Sequence, residues 1–319
     1  MGSGETSPTM VTPHQNILKE LGASARRILL DTPYGFQTNA DDLTSRIQHY
    51  FDFNVGYKCT PVQFRHAQEI KNEDIESADW VFSGPGSPSY ALKVWSNSGT
   101  SQSFKKVLEH GTLVLSSAAA ISMGSHSLPV YEIYKVGDEP FWMEGLNLLE
   151  AATGLKAAVI PHYNNAEGGS HDTSICFVGE KRMQQLESLL PDDVFILGID
   201  EHTGVRFDLE TEHAEVFGRG VMTIRMGGER WEVTSGSSVP FSEIAAHAGT
   251  RLQAIVIEEV ANSLSQSPAT PFIDALISMR NEARARGDYE SSDQIRKKLT
   301  ELGVEVHDGA EGVTWNFTL

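Results

Sequence analysis

The chain has 319 residues, 40% hydrophobic and 21% charged, with a formal net charge of -18 at pH 7. This length predicts roughly two domains with a substantial apolar core. The negative charge argues against non-specific binding to nucleic acid or anionic membranes, because like charges repel. The 2 cysteines, Cys59 and Cys176, lie far apart in apolar runs, a pattern typical of buried thiols in a reducing compartment. Without a signal peptide or a long apolar run, we expect a cytoplasmic protein with no membrane contact.

The chain opens with a Gly-Ser-Gly-Glu loop, a type that usually follows a strand. Gly2 and Gly4 permit close approach of the backbone to a ligand, and the carboxylate of Glu5 is a candidate functional group. The alternative is a flexible terminus without a role. A buried strand then leads into the polar loop 31–37, which includes Tyr34. Loops at the carboxyl ends of strands build the ligand crevice of a doubly wound sheet.

Strands and helices alternate through the first half of the chain. Strands are predicted at 27–30, 54–59 and 77–83, and helices at 39–51, 90–95 and 103–109. This alternation favours a parallel sheet with helices on both faces. Farther along, residues 203–233 alternate polar and apolar residues around paired glycines, which predicts hairpins or edge strands.

The stretch 111–125 is predicted to be a buried strand followed by a run of small residues, 116–120. A sharp strand-to-helix turn needs small residues, because backbone and neighbouring elements crowd its centre. Such a turn exposes one side chain and directs free N–H groups at whatever that side chain attacks. The exposed residue is predicted to be Ser117, with the N–H of Ala118 as an oxyanion donor. The alternative is a plain strand entering an Ala-rich helix, since the glycines of a strict G-x-S-x-G are absent.

Two further polar positions complete a candidate triad with Ser117. Glu132 lies between large apolar residues, where a carboxylate needs a partner because an unpaired buried charge is costly. His162 follows a strand predicted at 158–160. Serine is a weak nucleophile unless a base takes its proton and a carboxylate orients that base. Candidate substrate contacts in the loop after His162 are Asn164, Asn165 and His171.

Other histidines offer alternatives. His162, His171 and Asp172 together suggest a metal site, but we favour substrate contact or loop hydrogen bonding for His171 and Asp172. His202, close to Asp200, is a rival base, and we favour a hydrogen-bonding role at a strand end. We therefore expect neither a metal nor another cofactor.

Six motifs carry a resemblance to a known family. They are GSGE (2–5), GPGSP (84–88), SSAAA (116–120), YEIY (131–134), PHYNN (161–165) and GIDEHT (198–203). Through them, residues 1–231 resemble the cyanophycinase/dipeptidase E family of serine peptidases, which has a class I glutamine amidotransferase-like fold. The resemblance implies an α/β protein with a flavodoxin-like, doubly wound, mostly parallel sheet, here followed by a small, mainly helical C-terminal domain.

The resemblance also implies roles for individual residues. The family nucleophile falls on Ser117 and its histidine on His162. The acidic member falls on Glu132, with Glu139 and Glu144 as alternatives, and the oxyanion hole corresponds to the N–H groups of Gly86 and Ala118. The sequence departs from the family at the strand-to-helix turn that carries the nucleophile, called the elbow. There Leu115 and Ala119 replace the two glycines of the family. The strand that the family places before GSGE is missing, which is typical of an incomplete reading frame.

The tail carries a second resemblance, over 276–315, to the C-terminal segment of cysteinyl-tRNA synthetases. The matching pieces are RNEAR (280–284), SDQIR (292–296), LGV (302–304) and DGAEGVTW (308–315). In those enzymes the segment lies by the tRNA anticodon, and their catalytic signatures are absent here. Candidate phosphate contacts are Arg280, Arg284, Arg296, Lys297 and Lys298. The favoured alternative is a solvated helix face paired with Glu282, Asp293 and Glu301, since the chain is acidic.

The sequence therefore predicts an amidotransferase-like domain at 1–261, a linker at 262–271 and a synthetase-like module at 272–319. The predicted function is a serine hydrolase that cuts a peptide or amide bond through an acyl-enzyme. Its partner is a small peptide or amino-acyl amide, with Gly4, Glu5, Tyr34, Asn164, Asn165 and His171 at its pocket. The alternative is a non-catalytic binding or scaffold protein with a tRNA-recognition tail. Contact of the tail with tRNA and a homodimer are left open.

Overall fold

The computed structural model describes residues 1–69, 71–249, 270–301, 304–309 and 312–317. The chain divides into two compact units, Met1–Leu252 and Gln253–Leu319. We call them the N-terminal unit and the tail unit. Most of the predicted linker, 262–269, lies outside the described residues.

The strands and helices are bounded as follows. The strands are β1 (Arg27–Leu30), β2 (Thr60–Val62), β3 (Trp80–Ser83), β4 (Thr112–Leu115), β5 (His126–Ser127), β6 (Met143–Glu144), β7 (Ala157–Ile160), β8 (Phe195–Ile199), β9 (Thr203–Asp208), β10 (His213–Gly218), β11 (Val221–Met226), β12 (Glu229–Thr234), β13 (Ser238–Pro240), β14 (Val304–Gly309) and β15 (Gly312–Phe317). The α-helices are α1 (Val11–Glu20), α2 (Ala40–His49), α3 (Asn72–Glu76), α4 (Pro88–Ser96), α5 (Thr100–Leu108), α6 (Ala118–Ile121), α7 (Leu148–Thr153), α8 (Gly179–Ser188), α9 (Phe241–Ala248), α10 (Thr270–Ala285) and α11 (Tyr289–Glu301). Two π-helical turns cover Tyr50–Val55 and Glu132–Val136.

The first half of the N-terminal unit forms a four-stranded parallel sheet in the order β2-β1-β3-β4. Every residue of β1 and β3 is buried. Parallel strands covered by helices on both faces have this burial, which is why they appear in the sequence as short apolar runs rather than alternating patterns. The α/β fold class predicted from the alternation of elements is confirmed.

A six-stranded sheet follows, in the order β12-β11-β8-β7-β5-β6. Strands β7 and β8 are parallel, whereas β11 and β12 add to β8 as an antiparallel hairpin. Strands β9 and β10 form a second hairpin, so the hairpins predicted at 203–233 are confirmed. The turn between β11 and β12 consists of Gly227 and Gly228, both at positive φ, as a two-residue hairpin turn requires.

The strand predicted at 54–59 is wrong. The helix α2 continues as the π-helical turn Tyr50–Val55, and the strand that pairs with β1 begins at Thr60. Tyr50, Phe51 and Val55 are buried in one apolar cluster, so they extend the buried face of the helix. Their apolar run fits a buried helical turn as well as a strand.

The tail unit contains α10, α11 and the hairpin of β14 with β15. Its apolar cluster includes Ile273, Ile277, Leu299, Val304 and Val306. The chain turns between these two helices at Gly287, which has φ +76°. In both units, no described helix is long and apolar enough to cross a membrane.

Candidate active site

The turn between β4 and α6 holds Ser117 in a strained backbone conformation, with φ 50° and ψ -122°. Non-glycine residues rarely adopt this region, and such strain persists only where surrounding structure enforces it. Ser116 and all of α6 are buried, so larger side chains have no space there. The small residues of the sequence therefore form a sharp strand-to-helix turn without the two glycines.

The N-terminal loop forms several hydrogen bonds with this turn. The amine of Met1 donates a hydrogen bond to the carbonyl of Leu115 (2.7 Å), and the N–H of Ser117 donates to the carbonyl of Met1 (3.1 Å). The hydroxyl of Ser116 donates to Glu5 Oε2 (2.9 Å), and Glu5 is only 7% exposed. These hydrogen bonds hold the loop against the turn. The carboxylate of Glu5 stabilises the turn through its hydrogen bond with Ser116.

His162 connects the turn to a carboxylate. It directly follows β7, also has a positive φ (50°), and places Nε2 2.9 Å from Ser117 Oγ. Its other ring nitrogen, Nδ1, lies 2.8 Å from Glu201 Oε1. A hydroxyl, an imidazole and a carboxylate in this order can pass a proton from the hydroxyl to the ring and stabilise the resulting imidazolium.

The prediction that Glu132 orients His162 is corrected by this contact. Glu132 instead accepts a hydrogen bond from the hydroxyl of Ser89 (2.6 Å). The alternatives Glu139 and Glu144 are both exposed, and Glu144 lies in β6 opposite His126. Spacing along the chain favoured Glu132, whereas the folded chain brings the more distant Glu201 to the ring.

Glu201 could have been found from strand adjacency. It lies immediately after Asp200 at the end of β8, and β7 and β8 are parallel neighbours with Ile160 opposite Gly198. Because parallel neighbours end at the same sheet edge, residues just after the two strands meet. The motif GIDEHT contains Glu201, and the side-chain oxygen of Asn164 accepts a hydrogen bond from its N–H (2.8 Å).

Two backbone N–H groups remain available beside the turn. Neither Gly86 nor Ala118 donates its N–H to any residue that the structure describes. The turn 84–88 is tied to the elbow, since the N–H of Ala119 donates to the carbonyl of Gly84 (3.2 Å). A Cβ at position 86 would lie 2.1 Å from the carbonyl oxygen of Pro33, so only glycine fits.

The other residues predicted to contact the substrate differ in exposure and in their neighbours. Tyr34 is 2% exposed, its hydroxyl contacts Thr44, and burial raises its pKa to about 12, which places it in the core. His171 is exposed, with its ring 6.2 Å from that of Tyr134. Gly4, at φ +64°, lies against the ring of His202. Asn165 is buried, and its Oδ1 accepts from the N–H of Glu167.

His202 and Asp172 both form hydrogen bonds with nearby residues. His202 Nδ1 lies 3.2 Å from the hydroxyl of Ser7 and 3.3 Å from that of Thr9, consistent with hydrogen bonding at a strand end. The carboxylate of Asp172 accepts from the N–H groups of Ser174 and Glu180. Within the described ranges, no group of three or more metal-ligating side chains is placed to hold an ion.

A cavity of about 700 Å³ lies elsewhere and is lined in part by residues of β4, β8 and β9. Its walls include Leu113, Leu115, Leu197 and Ile199, and they contain no member of the serine–histidine–glutamate arrangement. The lining also includes charged side chains such as His110, Arg206 and Asp208, but no serine. The candidate reactive site is therefore the hydrogen-bonded chain of Ser117, His162 and Glu201 rather than this cavity.

The fold and these contacts define a class: α/β proteins with a serine, histidine and carboxylate chain at a strand–helix turn. Residues 1–214 match the model of Peptidase family S51, and the chain belongs to that family. Its structure is also similar to the crystal structure of a peptidase from an acI-B1 Actinobacterium. The two share 18% identity and a TM-score of 0.61, over 75% of this chain and 94% of that one, which supports the same fold.

The tail matches a different family. Residues 269–315 match the model of the cysteinyl-tRNA ligase anticodon binding domain. Over 43 residues the chain is 51% identical to the cysteine–tRNA ligase of Vibrio parahaemolyticus and 54% identical to that of Mannheimia succiniciproducens. These matches cover 14% of this chain and 9% of the length of each ligase. The tail resemblance inferred from the motifs is thereby confirmed.

Proposed function

We propose that this chain is a serine-type peptidase or amidohydrolase, with Ser117 as nucleophile, His162 as general base and Glu201 as the residue that orients the imidazole. The observation that carries the proposal is the continuous hydrogen-bonded chain from Ser117 Oγ through both nitrogens of His162 to Glu201. Membership of Peptidase family S51 supports it. The substrate class is a small peptide or an amino-acyl amide.

The proposed reaction has two halves. Ser117 Oγ attacks the carbonyl carbon while His162 Nε2 takes the hydroxyl proton, and the oxygen–carbon bond forms. The carbon–nitrogen bond then breaks, and His162 returns the proton to the leaving amine. A water molecule, deprotonated by the same imidazole, hydrolyses the acyl-enzyme and regenerates the serine. Glu201 keeps Nε2 directed at the serine throughout.

The negative oxygen of the tetrahedral intermediate needs fixed donors. We assign this role to the N–H groups of Gly86 and Ala118, because both lie in turns joined at the elbow and neither has another acceptor among the described residues. Donors held in place by the fold need no reorganisation as charge develops, which makes such sites effective.

The test is covalent labelling with a fluorophosphonate, which reacts with activated serines. The wild type should be labelled at Ser117, and the Ser117→Ala variant should show no labelling and no amide hydrolysis. Ser122→Ala, which alters a neighbouring hydroxyl bonded to the carbonyl of Ala118, is the matched control and should retain labelling. Equal labelling of the wild type and Ser117→Ala would overturn Ser117 as the nucleophile. Labelling of neither protein would overturn the proposal and favour the scaffold alternative.

The tail supports a second candidate function, contact with RNA. Its match to an anticodon binding domain favours this function. Arg284, Arg296, Lys297 and Lys298 are exposed in α10 and α11, whereas Arg280 is only 1% exposed and is removed from the predicted phosphate contacts. Salt-dependent binding of tRNA by the full chain tests this candidate.

A further inference from the structure

The carboxylate of Glu132 has no role in the proposed mechanism once Glu201 is assigned to His162. Its Oε1 accepts a hydrogen bond from the hydroxyl of Ser89, but its Oε2 is buried without a hydrogen-bond partner among the described residues. No described Arg, Lys or His forms an ion pair with it. A buried carboxylate oxygen without a partner is costly, so the fold retains this group against its own stability.

Contacts on one side connect Glu132 to the oxyanion turn. Ser89 Oγ, which donates to Glu132, also lies 3.0 Å from Ser87 Oγ. Ser87 directly follows Gly86, and its own N–H donates to the carbonyl of Pro33 (2.7 Å). The carboxylate is therefore fixed to the segment that carries one of the two proposed oxyanion donors.

Contacts on the other side connect the same turn to the general base. Tyr134, two residues after Glu132 in the π-helical turn, has its ring 5.5 Å from that of Phe177. The ring of Phe177 in turn lies 5.8 Å from the imidazole of His162. The turn 132–136 thus contacts the oxyanion segment through Glu132 and approaches the catalytic imidazole through Tyr134 and Phe177.

From these contacts we infer that Glu132 binds a cationic group of the substrate, an ammonium or a guanidinium, next to the bond attacked by Ser117. The inference rests on the proposed function. A cation supplies the missing donor to the carboxylate as a charge-assisted hydrogen bond, about twice as strong as a neutral one. Lys135 does not fill this role, since its Nζ lies over the ring of Tyr134, 4.6 Å from the ring centre.

Two parts of a peptide can supply such a cation: a free α-amino group or a basic side chain. Three diphenyl phosphonates separate them: N-acetyl-alanine, free-amine alanine and N-acetyl-arginine analogues. Each reacts by forming a bond between Ser117 Oγ and phosphorus, and phenol leaves with the serine proton delivered through His162. The rate of this reaction needs no knowledge of the natural substrate.

We expect the wild type to react faster with a cationic probe than with the neutral one, and the faster cationic probe identifies the source. Glu132→Gln keeps an oxygen that accepts from Ser89 but removes the charge. It should lower the cationic-to-neutral rate ratio by at least about tenfold. Glu132→Asp should keep the preference in part, and Glu132→Lys should reverse it. Glu139→Gln, which removes an exposed carboxylate seven residues on, is the matched control and should leave the ratio unchanged.

Three results are informative against the inference. Equal rates of the wild type with all three probes overturn it while leaving the serine mechanism intact. An equal slowing of every probe in Glu132→Gln assigns the carboxylate only to holding Ser89, and also overturns it. Failure of every probe to label the wild type overturns the proposed function and this inference together.

Discussion

Glu201 Oε1 lies 2.8 Å from Nδ1 of His162, although 39 residues separate them in the sequence. The carboxylate accepts a hydrogen bond from Nδ1–H, which leaves Nε2 free to accept from Ser117, so it favours the productive tautomer of the ring. The N–H of Glu201 donates to the side chain of Asn164, which fixes the residue at the end of its strand. The pair thus depends on two loops that follow neighbouring parallel strands.

Replacing Glu201 with Gln should lower kcat by about 10²- to 10⁴-fold, because the amide can hold the ring in the wrong tautomer and does not stabilise the imidazolium. The fold should persist, since Gln has the same size. The measurement is the rate of hydrolysis, or of phosphonate labelling, beside the thermal midpoint. Glu144→Gln, at an exposed alternative position, is the control. A loss of activity in Glu144→Gln with full activity in Glu201→Gln would contradict the assignment.

Replacing Gly86 with Ala should lower kcat/KM by about 10²-fold, the effect typical of losing one oxyanion donor. The new Cβ would meet the carbonyl oxygen of Pro33 at 2.1 Å, so the backbone must shift and carry its N–H away from the site. Gly22→Ala is the matched control, because Gly22 also has a positive φ (+81°) but no neighbouring atom within 4 Å. Wild-type kinetics in folded Gly86→Ala would exclude Gly86 as a donor.

Local chemistry explains which parts of the site the sequence predicts. Small residues at 116–120 are required at a crowded turn, so Ser117 is recognisable even without the two glycines. His162 follows a short apolar strand, and its position is readable for the same reason. The pairing with Glu201 is a long-range contact set by the order of β7 and β8 in the sheet, which periodicity along one chain does not determine.

The fold was likewise predictable where the local sequence pattern determines the structure. Buried parallel strands appear as apolar runs, and the paired glycines at 227–228 indicate a hairpin turn. The π-helical turn Tyr50–Val55 was not predictable, because its apolar spacing also suits a strand. The burial of Tyr34 was missed for a related reason: a polar loop at a strand end is usually exposed, whereas here its tyrosine packs into the core.

Stability should fall as the pH drops below about 6.5, in part through His14. This ring has no exposed surface, and Nε2–H donates to the carbonyl of Glu5 (2.8 Å). Burial lowers the pKa of His14 from 6.5 to about 4. The unfolded chain therefore binds a proton between these values while the folded chain does not, so stability is present above pH 6.5 and is lost as the pH falls towards 4.

The contribution lost between pH 7.5 and pH 5.0 is about 2 kcal/mol. Urea unfolding at the two pH values should show this loss in the wild type, and the His14→Gln variant should show a loss smaller by that amount. His110→Gln, at an exposed histidine, is the control. An unchanged difference between the two pH values in His14→Gln would show that His14 does not contribute to the pH dependence.

The tail offers a prediction that is independent of the serine site. If α11 contacts tRNA phosphates, the Lys297→Ala variant of the full chain should bind tRNA more weakly, and the slope of log K against log salt should fall by about 1. Lys181→Ala, at an exposed lysine of α8 in the N-terminal unit, is the matched control and should leave both unchanged. Filter binding across a salt series measures both quantities.

Because the chain carries a net charge of -18, binding that persists at moderate salt requires local contacts rather than bulk attraction. Binding that is absent in the wild type, or equally weakened by both variants, would reject RNA contact through this helix.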